Sequence, residues 1–204
     1  MTEPASLTVA RSELILGGQK SGKSRRAEAL AQAWLAQSPE HQALLIATAQ
    51  PWDDEMRERI ARHQQDRAAR VPGMHTVEEP LQLAQALARH SQPHTLVVVD
   101  CLTLWLTNWL MPAEIAENSR KNEENMPVAQ YPRAQAAMIL IAIEAAAGPV
   151  VLVGNEIGLG VIPLGRETRA FVDALGGLNQ DVAKVCERVT FMAAGLPLTL
   201  KGQP

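Results

Sequence analysis

The chain of 204 residues and 22.1 kDa has the length of one α/β domain with a sizeable core, and is short for two. A formal net charge of −3 argues against a global nucleic-acid or membrane-surface role, and no run of about eighteen apolar residues is present to span a bilayer. Two cysteines, Cys101 and Cys186, stand far apart and outside any C-x-x-C motif, so they indicate neither a metal site nor a disulfide framework, and a reducing cytoplasm fits.

Residues 1–11 carry an acid at Glu3 and no long apolar core, and read as a flexible leader to a single domain over 12–204. Leu14-Ile15-Leu16 is a short apolar strand. It runs into Gly17, Gly18, Gln19, Lys20, Ser21, Gly22, Lys23 and Ser24, and then into a segment with Ala27, Leu30, Ala31, Trp34 and Leu35 on one helical face. Strand, glycine loop and helix together match G-x-x-x-x-G-K-[ST], a nucleotide phosphate-binding pattern. Glycines let the backbone turn its N–H groups toward phosphates, and the helix start adds unpaired donors and a positive dipole end. Lys23 is placed to reach the β- and γ-phosphates, and the Ser24 hydroxyl to ligate Mg²⁺.

Ala43-Leu44-Leu45-Ile46-Ala47-Thr48 reads as a buried parallel strand. Asp53 is an expected N-cap for a helix through about Ala69, with Met56 as its first core contact. The helix holds Arg57, Arg59, Arg62, Arg67 and Arg70, and His63 lies four residues from both Arg59 and Arg67. That spacing permits a cationic stripe that holds phosphates around an imidazole, with Asp66 at i+3 to orient the ring. Periodicity alone favours a solvated arginine-rich face with a passenger histidine.

His75-Thr76-Val77 is a short strand candidate, and Pro80 opens a helix to about His90. Glu78 can accept from ribose hydroxyls or a base N–H, or is simply an acid favoured at a helix start. Thr95 to Asp100 is four apolar residues ending in an acid, a buried strand that carries Asp100 to the carboxyl edge of the sheet as a second Mg²⁺ ligand. Leu102, Trp105, Leu106 and Trp109 share one helical face, a core or interface pattern. Residues 111–132 are polar and proline-containing, read as a loop or lid.

Arg133 to Ala147 is an alanine-rich helix, and Val150 to Val153 another parallel-type strand that leads into Gly154-Asn155-Glu156 and a glycine-containing loop at the same sheet edge. Arg166 to Leu175 reads as helix, with an interruption at Gly176-Gly177 and a further helix to about Arg188. Val189 to Ala193 and Leu198 to Lys201 read as two strands paired antiparallel around Gly195-Leu196-Pro197. The other histidines, His41, His75, His90 and His94, lack ligand spacing and read as surface residues. The fold class expected is α/β, P-loop NTPase-like: a mainly parallel central sheet flanked by helices, with a short antiparallel edge at the C-terminus.

The blocks GGQKSGKSRRAEAL, IATAQPWDDEMRERIARH, TVEEP, VVVDCLTLWLTNWL, VVLVGNEIGLGVIP and GGLNQDVA together resemble the bifunctional adenosylcobinamide kinase / adenosylcobinamide-phosphate guanylyltransferases of cobalamin biosynthesis, from about Glu13 to Lys201. The resemblance implies that ATP or GTP phosphorylates adenosylcobinamide. It implies further that adenosylcobinamide phosphate takes GMP from GTP, through a GMP-histidine intermediate, to give adenosylcobinamide-GDP and pyrophosphate. It assigns His63, the histidine of the R-I-x-x-H pattern, as nucleophile beside Lys23. It implies a nucleotide site of Gly17 to Ser24, Ala47, Thr48, Ala49, Gln64, Gln65, Asp66, Arg67, Glu78 and Asp100, with Mg²⁺ on Ser24 and Asp100. A cytoplasmic homotrimer is also implied. A kinase of another small molecule and a nucleotide-dependent switch or assembly protein are the rival readings.

Overall fold

One seven-stranded sheet organises the computed structural model, which describes residues 7–111 and 131–203. In chain order the elements are β1 (Ser12–Gly17), α1 (Lys23–Gln37), β2 (Gln42–Ala47), α2 (Asp54–Arg70), β3 (Met74–Glu78), α3 (Leu83–His90), β4 (Thr95–Asp100) and α4 (Leu102–Leu110). They continue with α5 (Tyr131–Glu144), β5 (Val150–Val153), α6 (Arg166–Val185), β6 (Arg188–Ala193) and β7 (Leu196–Lys201). The spatial order is β3-β2-β4-β5-β1-β6-β7; all pairs are parallel except β6–β7. The expected α/β class with an antiparallel C-terminal edge is what the chain adopts.

Side chains alternate across each strand, so consecutive residues of one buried strand feed two cores. Leu14 and Leu16 pack with Ile46, Val97, Val99 and Leu152 against α3, α4, α5 and α6. Ile15 packs with Leu45, Leu96, Val98, Val151 and Val153 against Ala27, Leu30 and Ala31 of α1. Helices therefore cover both faces, which is why Leu14 to Leu16 of β1, Leu96 to Val99 of β4 and all of β5 read as apolar runs. Trp105 is fully buried, its indole N–H donating to the Leu81 carbonyl at 2.9 Å, so the tryptophan-rich face of α4 is core.

Four expectations are corrected. Residues 7–11 are not frayed: Leu7 and Val9 pack on the α1-side core, and Thr8 accepts two hydrogen bonds from the buried Arg188. Gly176 and Gly177 do not interrupt a helix, because Leu175, Leu178 and Val182 of α6 are all buried and hold it straight through. The β6–β7 connection is the two-residue turn Ala194-Gly195, both with positive φ, and β7 already begins at Leu196. Of the loop or lid expected over 111–132, residues 112–130 lie outside the described residues, and Tyr131 already opens α5.

Candidate active site

The glycine loop sits where β1 ends and α1 begins, and its geometry explains its composition. Gly17 has φ 151° and a Cβ there would lie 2.5 Å from the Met192 carbonyl oxygen; Gly22 has φ 103° and faces the Gly195 Cα at 3.2 Å from its Cβ position. The tip of the β6–β7 hairpin thus presses on the loop, and the Gly195 N–H donates to the Ser21 carbonyl at 3.0 Å. That buttress is the part of the site that sequence reading missed; the Ala-Gly pair between two apolar runs was the available signal. Lys20 holds φ 56° on the loop's exposed side, and Gln19 and Gly18 are exposed beside it. Lys23 is buried and its Nζ donates to the Gly18 carbonyl at 2.7 Å, folded back over the loop it serves. The Ser21 hydroxyl is buried with no hydrogen-bond partner among the described residues, a polar atom positioned for an anion's oxygen.

Asp100 reaches this loop from β4. The Ser24 hydroxyl donates to Asp100 Oδ2 at 3.0 Å, joining two residues 76 apart in sequence. Strand β5 lies between β1 and β4, so α1 crosses over its end to bring them together. Adjacent Cys101 is no rival nucleophile: burial pushes its thiol up to about 12, with the Asp100 carboxylate adding to the shift.

At the β5–β1 junction the following helices leave on opposite faces, α6 to one core and α1 to the other, the divergence at which open α/β sheets form a ligand crevice beyond the carboxyl ends of their strands. Its second wall is Gly154-Asn155-Glu156. The ladder continues past the strands: Gly154 N–H donates to Ile15 O at 3.0 Å and Glu156 N–H to Gly17 O at 3.1 Å. Asn155 is fixed by its N–H on Thr103 Oγ1 and by its carbonyl accepting from Asn179 Nδ2.

A second cluster of expected residues forms where α2 passes the β2–β3 end of the same edge. Ala49, Gln64 and Glu78 line one shallow cleft of about 140 Å³ with Pro51, Arg57, Ile60 and Ala61. Asp53 caps α2 as expected, its Oδ1 accepting from Met56 N–H at 2.7 Å. His63 is exposed on α2, directly before Gln64. From β1 to β2 are three strand spacings, so the glycine loop and this cleft are roughly 14 Å apart along the edge.

Other expected members are turned to structural work. Thr48 is fully buried: its hydroxyl donates to the Cys101 carbonyl at 2.7 Å and accepts from the Cys101 N–H at 2.9 Å, while its carbonyl accepts from Asn108. Ala47 pairs with both Glu78 and Asp100 at the strand ends. Arg67 points inward toward Thr76 Oγ1 at 3.5 Å, which removes it from the expected cationic stripe, and Asp66 pairs with Arg70 at 2.9 Å rather than orienting His63. Gln65 is exposed.

A family model described as cobinamide kinase / cobinamide phosphate guanyltransferase matches residues 13–200. The bifunctional adenosylcobalamin biosynthesis protein CobP of Pseudomonas aeruginosa is 45% identical over 193 residues, covering 94% of this chain and 98% of that protein. The bifunctional adenosylcobalamin biosynthesis proteins CobU of Salmonella typhimurium and Escherichia coli are 33% and 32% identical, each match covering 92% of this chain and 98% of the relative.

Proposed function

We propose, from the premise that this chain belongs to the cobinamide kinase / cobinamide phosphate guanyltransferase family, that its one carboxyl edge serves both reactions on adenosylcobinamide. ATP or GTP first phosphorylates the acceptor's hydroxyl; GTP then gives GMP to the phosphate, leaving pyrophosphate. The observation that carries this reading is the meeting of the glycine loop with Asp100 through Ser24, on the same edge as the α2 cleft.

In the first transfer the loop amides and Lys23 hold the β- and γ-phosphates, so the charge that shifts to the leaving diphosphate meets fixed donors in a loop buttressed by the β6–β7 hairpin. In the second, His63 attacks the α-phosphorus of GTP, pyrophosphate departs, and the phosphoramidate passes GMP to the acceptor phosphate. Gln64 and Glu78, which share the cleft beside His63, are read as nucleoside contacts, with Glu78 accepting from base N–H or ribose hydroxyls. Gln65, exposed next to Gln64, is read with it as a nucleotide contact, whereas Asp66 is tied to Arg70 and Arg67 to Thr76.

Mg²⁺ fits the loop. Ser24 and Asp100 offer two hard oxygen donors 3.0 Å apart, close to the roughly 2.9 Å edge of an octahedron with Mg²⁺–oxygen distances near 2.05 Å. No cluster of three or more His, Cys, Asp or Glu suited to a metal occurs among the described residues, so the remaining ligands would be phosphate oxygens and water. When bound, the ion offsets phosphate charge.

The loop after Glu156 exposes Leu159, Val161, Ile162 and Leu164, which supports an acceptor with a broad apolar surface lying there. Leu196, Leu198 and Leu200 leave an apolar stripe exposed on β7, which supports burial between copies in a homotrimer. No helix among the described residues is long and apolar enough to cross a membrane, in keeping with a cytoplasmic enzyme.

The test is a two-stage assay. With ATP or GTP and adenosylcobinamide the chain should form the phosphate, and with GTP the GDP adduct plus pyrophosphate; Lys23→Ala should depress both stages. Phosphorylation of a different alcohol in preference to adenosylcobinamide would move the assignment to another kinase.

A further inference from the structure

The kinase step needs a group to take the proton of the attacking hydroxyl, and the crevice between β5 and β1 contains one. Resting on the proposed function above, we propose that Glu156 is that general base. Its backbone N–H is tied to Gly17, the first residue of the phosphate loop, at 3.1 Å. Its Oε1 accepts from the Gly158 N–H at 2.9 Å, which fixes the carboxylate's direction while the group stays half-exposed. Among the described residues no hydrogen bond occupies its second oxygen.

Position singles it out from the other carboxylates on this edge. Asp100 is joined to Ser24 and belongs to the metal side of the loop. Glu79 accepts from the N–H groups of Leu81 and Gln82, and so opens α3. Glu78 lies on β3, four strand spacings from β1, or roughly 19 Å. Glu156 alone of these stands at the point where the sheet's connections diverge, the place where ligands settle in open α/β sheets. Val153, Ile15 and Asp100 are level in the sheet, and Glu156 is three residues further out, beyond Gly17 and on the side from which an acceptor would approach.

The step balances without another reagent. The acceptor oxygen forms a bond to the γ-phosphorus as the bond from that phosphorus to the β,γ-bridging oxygen breaks, and the bond pair leaves with the nucleoside diphosphate. The hydroxyl proton passes to the free oxygen of Glu156, which later releases it to water.

The experiment compares wild type, Glu156→Gln and Glu156→Asp. Glutamine keeps an oxygen for the Gly158 N–H, so the loop's hydrogen bond survives while the basicity is lost. The expected result is a fall of about 10²- to 10⁴-fold in kcat for adenosylcobinamide phosphorylation, with the nucleotide KM within a few fold of wild type. Glu156→Asp should recover part of the loss. Guanylyl transfer to supplied adenosylcobinamide phosphate, which has no hydroxyl proton to remove, should fall by no more than a few fold and reports intact folding. Phosphorylation by Glu156→Gln within threefold of wild type overturns the inference, as does equal loss of both activities in both variants. A wild-type chain that phosphorylates no adenosylcobinamide overturns the functional reading itself, and the inference with it.

Discussion

The Ser24 hydroxyl and the Asp100 carboxylate meet at 3.0 Å although one opens α1 and the other ends β4. In the proposed site each would be an oxygen ligand, and Asp100 would supply the negative charge that draws a divalent cation to the loop. Asp100→Asn keeps an acceptor for Ser24 but removes that charge. Both transfers should fall on the order of 10²-fold at fixed Mg²⁺, with part of the loss recovered as Mg²⁺ is raised. Initial rates against Mg²⁺ concentration check this; an unchanged Mg²⁺ dependence would remove Asp100 from the metal site.

Arg70 ties the helix that carries His63 to the helix that begins at the glycine loop. Its Nη1 donates to Glu28 of α1 at 2.7 Å, its Nη2 to Asp66 at 2.9 Å, and its carbonyl accepts from the Gln32 amide. The Glu28 hydrogen bond and charge raise the Arg70 pKa. Arg70→Met would leave the buried Glu28 without its partner, a loss of about 1–3 kcal/mol in stability. Guanylyl transfer should suffer more than phosphorylation, because α2 bears His63 whereas the loop belongs to α1. Denaturant titration and the two rates test this, and equal loss of both rates would contradict it.

Sequence periodicity was sufficient for the sheet, since β1, β4 and β5 are buried on both faces and therefore written as apolar runs. The motif reading also put the glycine loop after β1 and Asp100 at the end of β4, where the structure has them. On α2 periodicity favoured a solvated arginine-rich face, and most of the helix is exposed, but hydrophobic spacing gives no orientation for single residues there: Arg67 is inside and Asp66 is bound to Arg70. Thr48 is a nucleotide contact only by the family resemblance, and the tertiary pairing with Cys101 shows where its hydroxyl is used. The helix break expected at Gly176-Gly177 rested on local propensity, which burial of the flanking leucines overrides.

That override leaves an avoidable cost. A Cβ at Gly177 would meet nothing within 4 Å, and the residue is exposed in the middle of α6. Gly177→Ala should stabilise the fold by about 0.5–1 kcal/mol, a rise of roughly 2–4 °C in Tm for each kcal/mol at this chain size. A thermal melt showing no rise or a fall would mean that the position is constrained by a contact beyond the described residues.

The two thiols set an alkaline limit. Burial pushes Cys101 and Cys186 from an ordinary value of 9.0 up to about 12 in each case. The folded state therefore keeps protons that the unfolded chain gives up, so this contribution is fully present below pH 9 and is lost as pH rises from 9 toward 12. The slope approaches about 1.4 kcal/mol per pH unit for each thiol. Urea unfolding at pH 8, 9 and 10 should show a shallower decline in Cys186→Ala than in wild type; identical slopes would contradict the account.

On the proposed function, one chain forms a covalent link to GMP at His63 while its glycine loop serves phosphoryl transfer. The most direct measurement is incubation with Mg²⁺ and GTP labelled at the α-phosphate, followed by denaturation, for wild type and His63→Ala. The account predicts acid-labile, base-stable label on wild type and none on His63→Ala, with phosphorylation of adenosylcobinamide still measurable in the variant. Label of equal extent on both proteins, or on neither, would contradict it.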